Sequence, residues 1–98
     1  MAVTSLLELR LKNELADEAR EIIRRTLVAT RGFEGCLGVE VTVDVDDASH
    51  ITLIEKWESI EHDNAYRAFR ASPEGASDLG SLVSAAPVLT RYETDETV

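Results

Sequence analysis

Two alternating runs joined by a short acidic turn constrain the fold of this chain most. The first run carries valines at every second position: Val39, Val41, Val43 and Val45. The second run, from His50 to Trp57, places three apolar side chains and one acidic side chain on one face: Ile51, Leu53, Trp57 and Glu55. A period of two is the period of a β-strand. The turn-forming residues 46–49 that separate the runs predict an antiparallel hairpin.

One strand and one helix are predicted ahead of this hairpin. Residues 3–11 alternate between a mainly apolar and a mixed face, which predicts a strand. Asn13 offers a side-chain oxygen for a helix N-cap, and Gly32 is a typical helix stop. Between them, apolar residues recur at helical spacing: Leu15, Ala19, Ile22, Ile23, Thr26 and Leu27.

A second helix and a last strand follow the hairpin. Ser59 is a good N-cap and Pro73 a stop. The side chains expected to face the core are Ala65, Tyr66, Ala68 and Phe69. Residues 74–86 are read as a short helix or irregular turn, residues 87–92 as a strand, and residues 94–98 as a frayed tail. The order predicts a single α+β domain over residues 1–98, of the ferredoxin-like βαββαβ type with an antiparallel sheet.

The two faces of such a sheet cannot both be covered by its two helices. An apolar row such as Val39, Val41 and Val43, or Ile51 and Leu53, is costly to leave in water. We therefore expect the chain to form a homodimer in which two sheets pair face to face. Periodicity alone leaves open which row meets the helices.

Composition narrows the classes of partner. The chain has 98 residues, 10 basic and 19 acidic, for a net charge of −9. A negative surface repels phosphate backbones and anionic lipids, so neither nucleic acid nor a membrane is an expected partner. The N-terminal residues lack the pattern of a secretory signal, and the single cysteine, Cys36, forms no intrachain disulfide. The expected location is the cytoplasm.

Two short motifs resemble those of a known family. The stretch RGFEGCLGVEV carries arginine, glycine, cysteine and leucine at a characteristic spacing, and ITLIEKWES carries glutamate, tryptophan and serine. The matching residues are Arg31, Gly35, Cys36, Leu37, Glu55, Trp57 and Ser59. Together with the helix ending in ASP and the strand VLTRYE, they resemble the antibiotic biosynthesis monooxygenase-like family of dimeric α+β barrels.

The resemblance implies several functions. The family includes cofactor-independent oxygenases of quinols and anthrones, haem-degrading enzymes, and members without a known activity. It therefore implies a monooxygenase that binds a small aromatic or hydrophobic ligand and needs no cofactor. The alternatives are a non-catalytic dimeric ligand-binding or assembly module, and a haem-binding or haem-degrading relative. Members often have a histidine where this chain has Tyr66, and His62 lies one turn earlier, which weakens the haem alternative most.

Three residues are candidates for moving a proton: Tyr66, His62 and Glu55. Each also has a structural interpretation. Tyr66 would be an ordinary residue of an amphipathic helix, and His62 an exposed residue in the first helical turn. Glu55 would form an ion pair, with Arg91 and Arg70 as candidate partners. The candidate substrate cavity is formed by Trp57, Leu53 and Phe69, although Trp57 could equally be a core aromatic.

The remaining polar residues are assigned structural roles. His50 lies beside an acidic turn, and Cys36 has no adjacent base to activate it. The aspartates at 44, 46 and 47 lack the glycine and glutamate of a calcium loop and are read as turn residues. The sequence contains no phosphate-binding glycine loop, no spaced Cys/His set for a metal and no nucleophile elbow, so no flavin or nicotinamide site is indicated.

Overall fold

The computed structural model describes residues 1–98 as a four-stranded antiparallel sheet with two helices. The elements are β1 (Val3–Arg10), α1 (Ala16–Arg31), β2 (Cys36–Asp44), β3 (Asp47–Trp57), α2 (Ile60–Ala71) and β4 (Val88–Glu93). Short 3₁₀ turns occupy Asn13–Leu15 and Asp78–Ser81. The strand order is β2-β3-β1-β4, so the ferredoxin-like α+β prediction is confirmed.

The sheet register decides which apolar row meets the helices. β3 pairs with β1 along the whole length of β1, with Val3 opposite Trp57 and Leu9 opposite Ile51. The buried side chains of β3 are those predicted to share a face: Ile51, Leu53, Glu55 and Trp57. This row and its neighbours on β1 lie under the helices, which resolves the choice that periodicity left open.

α1 contributes the larger part of the core. Its buried residues Ala19, Ile23 and Leu27 recur at helical spacing and pack against Leu9 and Leu53 of the sheet. The segment after α2 completes this cluster. Leu82 is buried there, and the backbone beside it pairs with the end of β1 through an isolated bridge between Leu11 and Val83. The segment 74–86, predicted as a short helix or an irregular turn, is thus a 3₁₀ turn followed by this bridge.

α2 begins and ends where its sequence signals indicate. The hydroxyl of Ser59 accepts a hydrogen bond from the backbone N–H of His62, which is N-cap geometry, and the helix ends at Ala71, before Pro73. The prediction that Ala65 and Ala68 face the core is wrong, because both are exposed. The buried stripe instead runs through Asp63 and Tyr66, so a buried carboxylate occupies a position that an apolar pattern does not reveal.

Two local predictions are also wrong. Asn13 does not cap α1, because it lies in a 3₁₀ turn; the N-cap residue is Leu15, which makes no side-chain cap. The hairpin turn is shorter than predicted, since β2 ends at Asp44 and β3 begins at Asp47. The carboxylate of Asp44 accepts a hydrogen bond at 2.9 Å from the backbone N–H of Asp46, which stabilises this two-residue turn locally.

The opposite face of the sheet is not covered by either helix. The register places Leu6, Ile54, Val88 and Tyr92 on it, among threonines and charged residues. β4 is an edge strand and all six of its residues are exposed. No helix of the chain has the length and apolar character needed to cross a membrane.

Candidate functional site

Four aromatic rings gather where β3 ends and α2 begins. Trp57 is fully buried and lies 4.9 Å, centroid to centroid, from the ring of Tyr66. Phe33, from the loop after α1, packs edge-on against both, and Phe69 closes the group at 5.4 Å from Phe33. Edge-on and tilted aromatic pairs contribute about 0.5–1.5 kcal/mol each beyond their buried area. The four rings therefore form a continuous apolar wall.

A polar row crosses the sheet next to this wall. In the register of β3, β1 and β4, Ser5 lies opposite Glu55 on one side and Arg91 on the other. All three side chains are on the helix side of the sheet. α2 places Asp63 and Arg67, one turn apart, against this row. Two carboxylates and two guanidinium groups thus meet under one helix, and their formal charges cancel.

Glu55 is the buried acid of the site, with 1% of its surface exposed. Its Oε1 accepts a hydrogen bond at 3.3 Å from Nε1 of Trp57 and an ion-paired hydrogen bond from Nη2 of Arg67. Desolvation raises the pKa of Glu55 above its ordinary value, although Arg67 and the Trp57 N–H oppose the shift and nearby Asp63 adds to it. A carboxylate with a raised pKa is a stronger base than an exposed carboxylate, and beside an aromatic wall it is a candidate general base.

Asp63 is fully buried and completely paired. Its two oxygens accept hydrogen bonds from the Ser5 hydroxyl at 2.8 Å, from Nε of Arg67 at 3.0 Å and from Nη1 of Arg91 at 3.3 Å. Arg91 also donates to the side chain of Asn64 at 2.6 Å. Arg67 therefore bridges the two buried carboxylates, and Arg91 closes the network on the side of the edge strand β4.

Tyr66 is held by its hydroxyl group as well as by its ring. Nε of Arg70 donates to this oxygen at 2.7 Å, and the hydroxyl shares a hydrogen bond of 2.6 Å with Thr30 of α1. Arg70 donates further to the backbone carbonyl groups of Thr26 and Gly75. Tyr66 thus joins α2 to α1, and Arg70 is its partner rather than a partner of Glu55.

His62 lies at the edge of the cluster and belongs to the cap of α2. Its Nδ1 is 2.6 Å from the Ser59 hydroxyl, and its Nε2 is 3.7 Å from Glu58. Its ring fills the space beside Gly35, where a Cβ atom would come within 2.2 Å of it. A haem ligated by His62 would have to displace these contacts, so the side chains around it do not form a preformed haem site.

The other candidates fall outside this centre. Leu53 is buried in the main core with Leu9 and Ile51, separate from the aromatic cluster. Cys36 is half-buried beside the cluster, and burial raises the pKa of its thiol. His50 lies on the open face of the sheet between Asp44 and Glu8, at 2.9 and 2.7 Å.

The aromatic centre is closed in this structure. The surface has four clefts, and none is lined by Trp57, Glu55 or Tyr66. One of them, of about 270 Å³, lies between Val3, Ile60 and the end of β4, and Arg91 forms part of its wall. Since Arg91 also contacts Asp63, this cleft approaches the polar row from outside.

Sequence reasoning missed three members of the site: Ser5, Asp63 and Arg67. It named Arg91 and Arg70 as candidate partners for Glu55, and neither makes the pair, because Arg67 does. A signal for the missed helix pair was present, since an acid followed four residues later by a base is the favourable orientation of a helical ion pair. That signal predicts a surface pair, and the burial of Asp63 comes from tertiary packing.

The fold and the site place the chain in a structural class: it is a ferredoxin-like α+β protein with a buried acid and an aromatic cluster between its sheet and α2. The sequence profile described as "Antibiotic biosynthesis monooxygenase" matches residues 2–76 of the chain. The chain belongs to the antibiotic biosynthesis monooxygenase family. The match includes both motifs on which the resemblance was based. No curated protein sequence matches the chain.

Solved structures agree with the fold over nearly the whole chain. A conserved protein from Methanosarcina mazei Go1 superposes with a TM-score of 0.82 at 14% identity, covering 97% of this chain and 94% of that one. Rv0793 from Mycobacterium tuberculosis gives 0.79 at 18% identity with full coverage of both chains. A Deinococcus radiodurans protein, named as a candidate antibiotic biosynthesis monooxygenase, gives 0.80 at 24% identity over 98% and 95%. At these identities the likeness concerns the fold alone.

Proposed function

We propose that this chain is a cofactor-independent monooxygenase of small, electron-rich aromatic compounds of the quinol or anthrone type. The observation that carries the proposal is Glu55, a buried carboxylate with a raised pKa that lies between an indole N–H and a guanidinium group. Family membership supports the reaction class, and the aromatic wall supports the substrate class.

The first step in this proposal is proton abstraction. Glu55 takes a proton from an activated phenol or from the methylene group of an anthrone, and the neutral acid that results fits its desolvated environment. Of the three candidate bases it has the most suitable surroundings, because the Tyr66 hydroxyl is already bonded to Arg70 and His62 is bonded within the helix cap.

The second step uses the electrons of the substrate. The deprotonated aromatic transfers one electron to O₂, and the resulting radical and superoxide combine to form a C–O bond. Protonation gives a hydroperoxide, which loses water across its O–O and C–H bonds to leave a carbonyl group. The balance is R₂CH₂ + O₂ → R₂C=O + H₂O, with no external reductant. Arg67 stabilises the developing anion, and the apolar wall excludes water.

Access to Glu55 requires movement of the aromatic side chains. Phe33 and Phe69 are only partly buried, whereas Trp57 and Tyr66 are fixed by burial and hydrogen bonds. The two phenylalanines are therefore the side chains that an entering aromatic ring would displace, and the ring would stack against Trp57 in their place. In this proposal Trp57 and Phe69 contact the substrate, while Leu53 supports the cavity from the main core.

The proposal includes a homodimer formed through the open face of the sheet. That face carries Leu6, Ile54, Val88 and Tyr92, and β4 is exposed along its whole length. A domain of this size gains stability by burying such a surface against a second copy. A sedimentation mass of 10.8 kDa, the mass of one chain, at micromolar concentration would contradict the dimer.

Oxygen uptake tests the function. We expect O₂ consumption with at least one member of a panel of quinols and anthrones, loss of that rate in Glu55→Gln, and retention in Glu18→Gln. Glu18 is a matched control because it is exposed in the first turn of α1, away from the aromatic centre and from the open face of the sheet. Uptake no faster than that of boiled protein across the panel would refute an oxygenase.

A non-catalytic dimeric module is the second candidate, and the closed packing of the centre favours it. If the chain is such a module, Glu55→Gln should bind the ligand as the wild type does, and neither the wild type nor the variant should consume oxygen. A titration with haem, followed by the Soret band, tests the remaining alternative; a saturable shift that His62→Ala removes would support it.

A further inference from the structure

A groove lies between the exposed side of α1 and the edge strand β2, at the end of the sheet away from Trp57. Its volume is about 270 Å³. The lining residues are Arg20, Ile23, Arg24, Leu27, Arg31, Val41, Val43 and Ile51. Ile51 and Trp57 are six positions apart on β3, which separates them by ~20 Å along the strand, whereas Arg31 at the other end of the groove is two residues from Phe33.

The groove combines an apolar floor with a basic rim. Five of its eight lining residues are hydrophobic. Val41 and Val43 remain 42% and 37% exposed although they point to the helix side of the sheet. α1 does not reach far enough across the edge strand to cover them. An apolar ligand resting on these valines would therefore remove them from water.

The rim is strongly positive for so acidic a chain. Three arginines line the groove and none of its lining residues is acidic, whereas the chain as a whole has a net charge of −9. Arg20 makes no hydrogen bond or ion pair, and Arg24 is paired only with the exposed Glu21. Arg31 donates to the carbonyl group of Val39 at 3.1 Å, which fixes it at the edge of β2. Guanidinium groups at such a rim match a carboxylate in charge and geometry.

We propose that this groove binds a small amphipathic carboxylate, with the acid group on Arg20 and Arg24 and the hydrocarbon part on Val41 and Val43. The charge of the rim selects an anion, and the apolar floor selects an aliphatic or aromatic body over a simple inorganic anion. The volume of about 270 Å³ lies just below the usual range of pockets for drug-sized ligands, about 300–1,000 Å³, and therefore suits a small ligand. The site is independent of Glu55 and of the proposed oxygenation.

Titration with three probes of equal chain length, followed by backbone amide NMR, tests the head-group preference. The probes are decanoate, decanol and decyltrimethylammonium, each kept below its micelle-forming concentration. We expect saturable shifts at Val41, Val43 and Ile23 with decanoate, binding roughly tenfold weaker with decanol, and none with the cation. Equal binding of all three probes would overturn the proposal, as would decanoate shifts centred elsewhere in the chain.

Variants of α1 test the arginines. Arg20→Gln combined with Arg24→Gln should weaken decanoate binding at least tenfold, to the level of decanol. Arg25→Gln is the matched control, since Arg25 lies on the same helix but lines a different cleft, and it should bind as the wild type does. Equal affinity in the double variant and the control would refute the role of the rim.

A second copy of the chain is the competing occupant. If the amides of Val41 and Val43 shift when the protein alone is diluted and do not respond to decanoate, the groove is an interface between copies and the proposal is wrong. If they are unchanged by dilution and respond to decanoate, the groove is a ligand site.

Discussion

Replacement of Arg67 by methionine should expose the electrostatic cost of the buried acids. Arg67 is the one cation in contact with Glu55, and it also contacts Asp63. Methionine has a similar length and no charge. In the variant Asp63 keeps the Ser5 hydroxyl and Arg91, whereas Glu55 keeps only the Trp57 N–H. Glu55 should therefore carry most of the effect.

The expected loss is about 3 kcal/mol at neutral pH. Breaking one side of a buried ion pair costs ~3–5 kcal/mol, and the lower end applies because the side chain of Arg67 is 24% exposed. For a chain of this length ~1 kcal/mol corresponds to roughly 4–8 °C in Tm. A fall of about 12–24 °C follows, a large part of the stability of a small domain.

The loss should shrink in acid. Removing the guanidinium raises the pKa of Glu55 further above its ordinary value, because Arg67 opposes the effect of desolvation. A raised pKa means that the folded state binds the proton more tightly than the unfolded state does. The penalty is therefore complete above the folded pKa and decreases as the pH falls toward the ordinary range of glutamate.

Urea unfolding at fixed protein concentration, followed by the fluorescence of Trp57, the single tryptophan, measures the effect between pH 4.5 and about 8. Arg24→Met is the matched control, because its pair with Glu21 is exposed and three residues apart, and it should change the unfolding free energy by less than ~0.5 kcal/mol. A loss in Arg67→Met no larger than in this control, or one that does not decrease in acid, would refute the reasoning.

Three further variants test local features. Gly35→Ala should cost about 2 kcal/mol of unfolding free energy. Gly35 has a φ of +87°, and a Cβ atom there would overlap the imidazole ring of His62. Gly80→Ala is the control and should be neutral, because a Cβ atom at Gly80 would face open space. Ser59→Ala should cost about 1 kcal/mol through loss of the α2 cap, and Ser59→Asp should restore most of it in thermal unfolding. An NMR titration should give His50 a pKa above its ordinary value, owing first to its hydrogen bond with Asp44, and Asp44→Asn should lower that pKa. The stabilisation by His50 is complete at low pH and is lost as the pH rises through the folded pKa of His50. An unchanged pKa of His50 in Asp44→Asn would contradict this prediction.

The fold could be predicted because its signals are local and agree with one another. The alternation of β3 identifies both the strand and the face that is buried, from Ile51 to Trp57. The N-cap at Ser59 and the stop before Pro73 give the limits of α2 to within a residue or two. Each signal depends on neighbours within one turn or one strand, so a single sequence carries it.

The start of α1 shows where local signals fail. Asn13 is a good capping residue, but the backbone there forms a 3₁₀ turn and the helix begins three residues later without a side-chain cap. The bridge that joins Leu11 to Val83, and the hydrogen bond from Lys12 N–H to the Leu82 carbonyl, fix the chain on the N-terminal side of this turn. These contacts span some seventy residues and leave no local pattern.

The site was harder to predict than the fold because its pairs join distant elements. Glu55 and Trp57 were identified from their shared face on β3, but the choice among three arginines as partner of Glu55 depends on how α2 crosses the sheet. The spacing of residues along the sequence does not specify the angle at which α2 crosses the sheet. Burial of Asp63 follows from the same angle, which carries the stripe of Asp63 and Tyr66 inward and leaves Ala65 and Ala68 in solvent.

An anaerobic proton-abstraction measurement tests the central claim, that Glu55 is the base of an oxygenase, most directly. Without oxygen the reaction stops at the substrate anion, whose absorption is shifted to longer wavelength from that of the neutral anthrone. We predict anion formation with the wild-type protein and with Tyr66→Phe, none above the protein-free level with Glu55→Gln, and a pH dependence that follows the raised pKa of Glu55. Equal anion formation by Glu55→Gln and the wild type would contradict the claim.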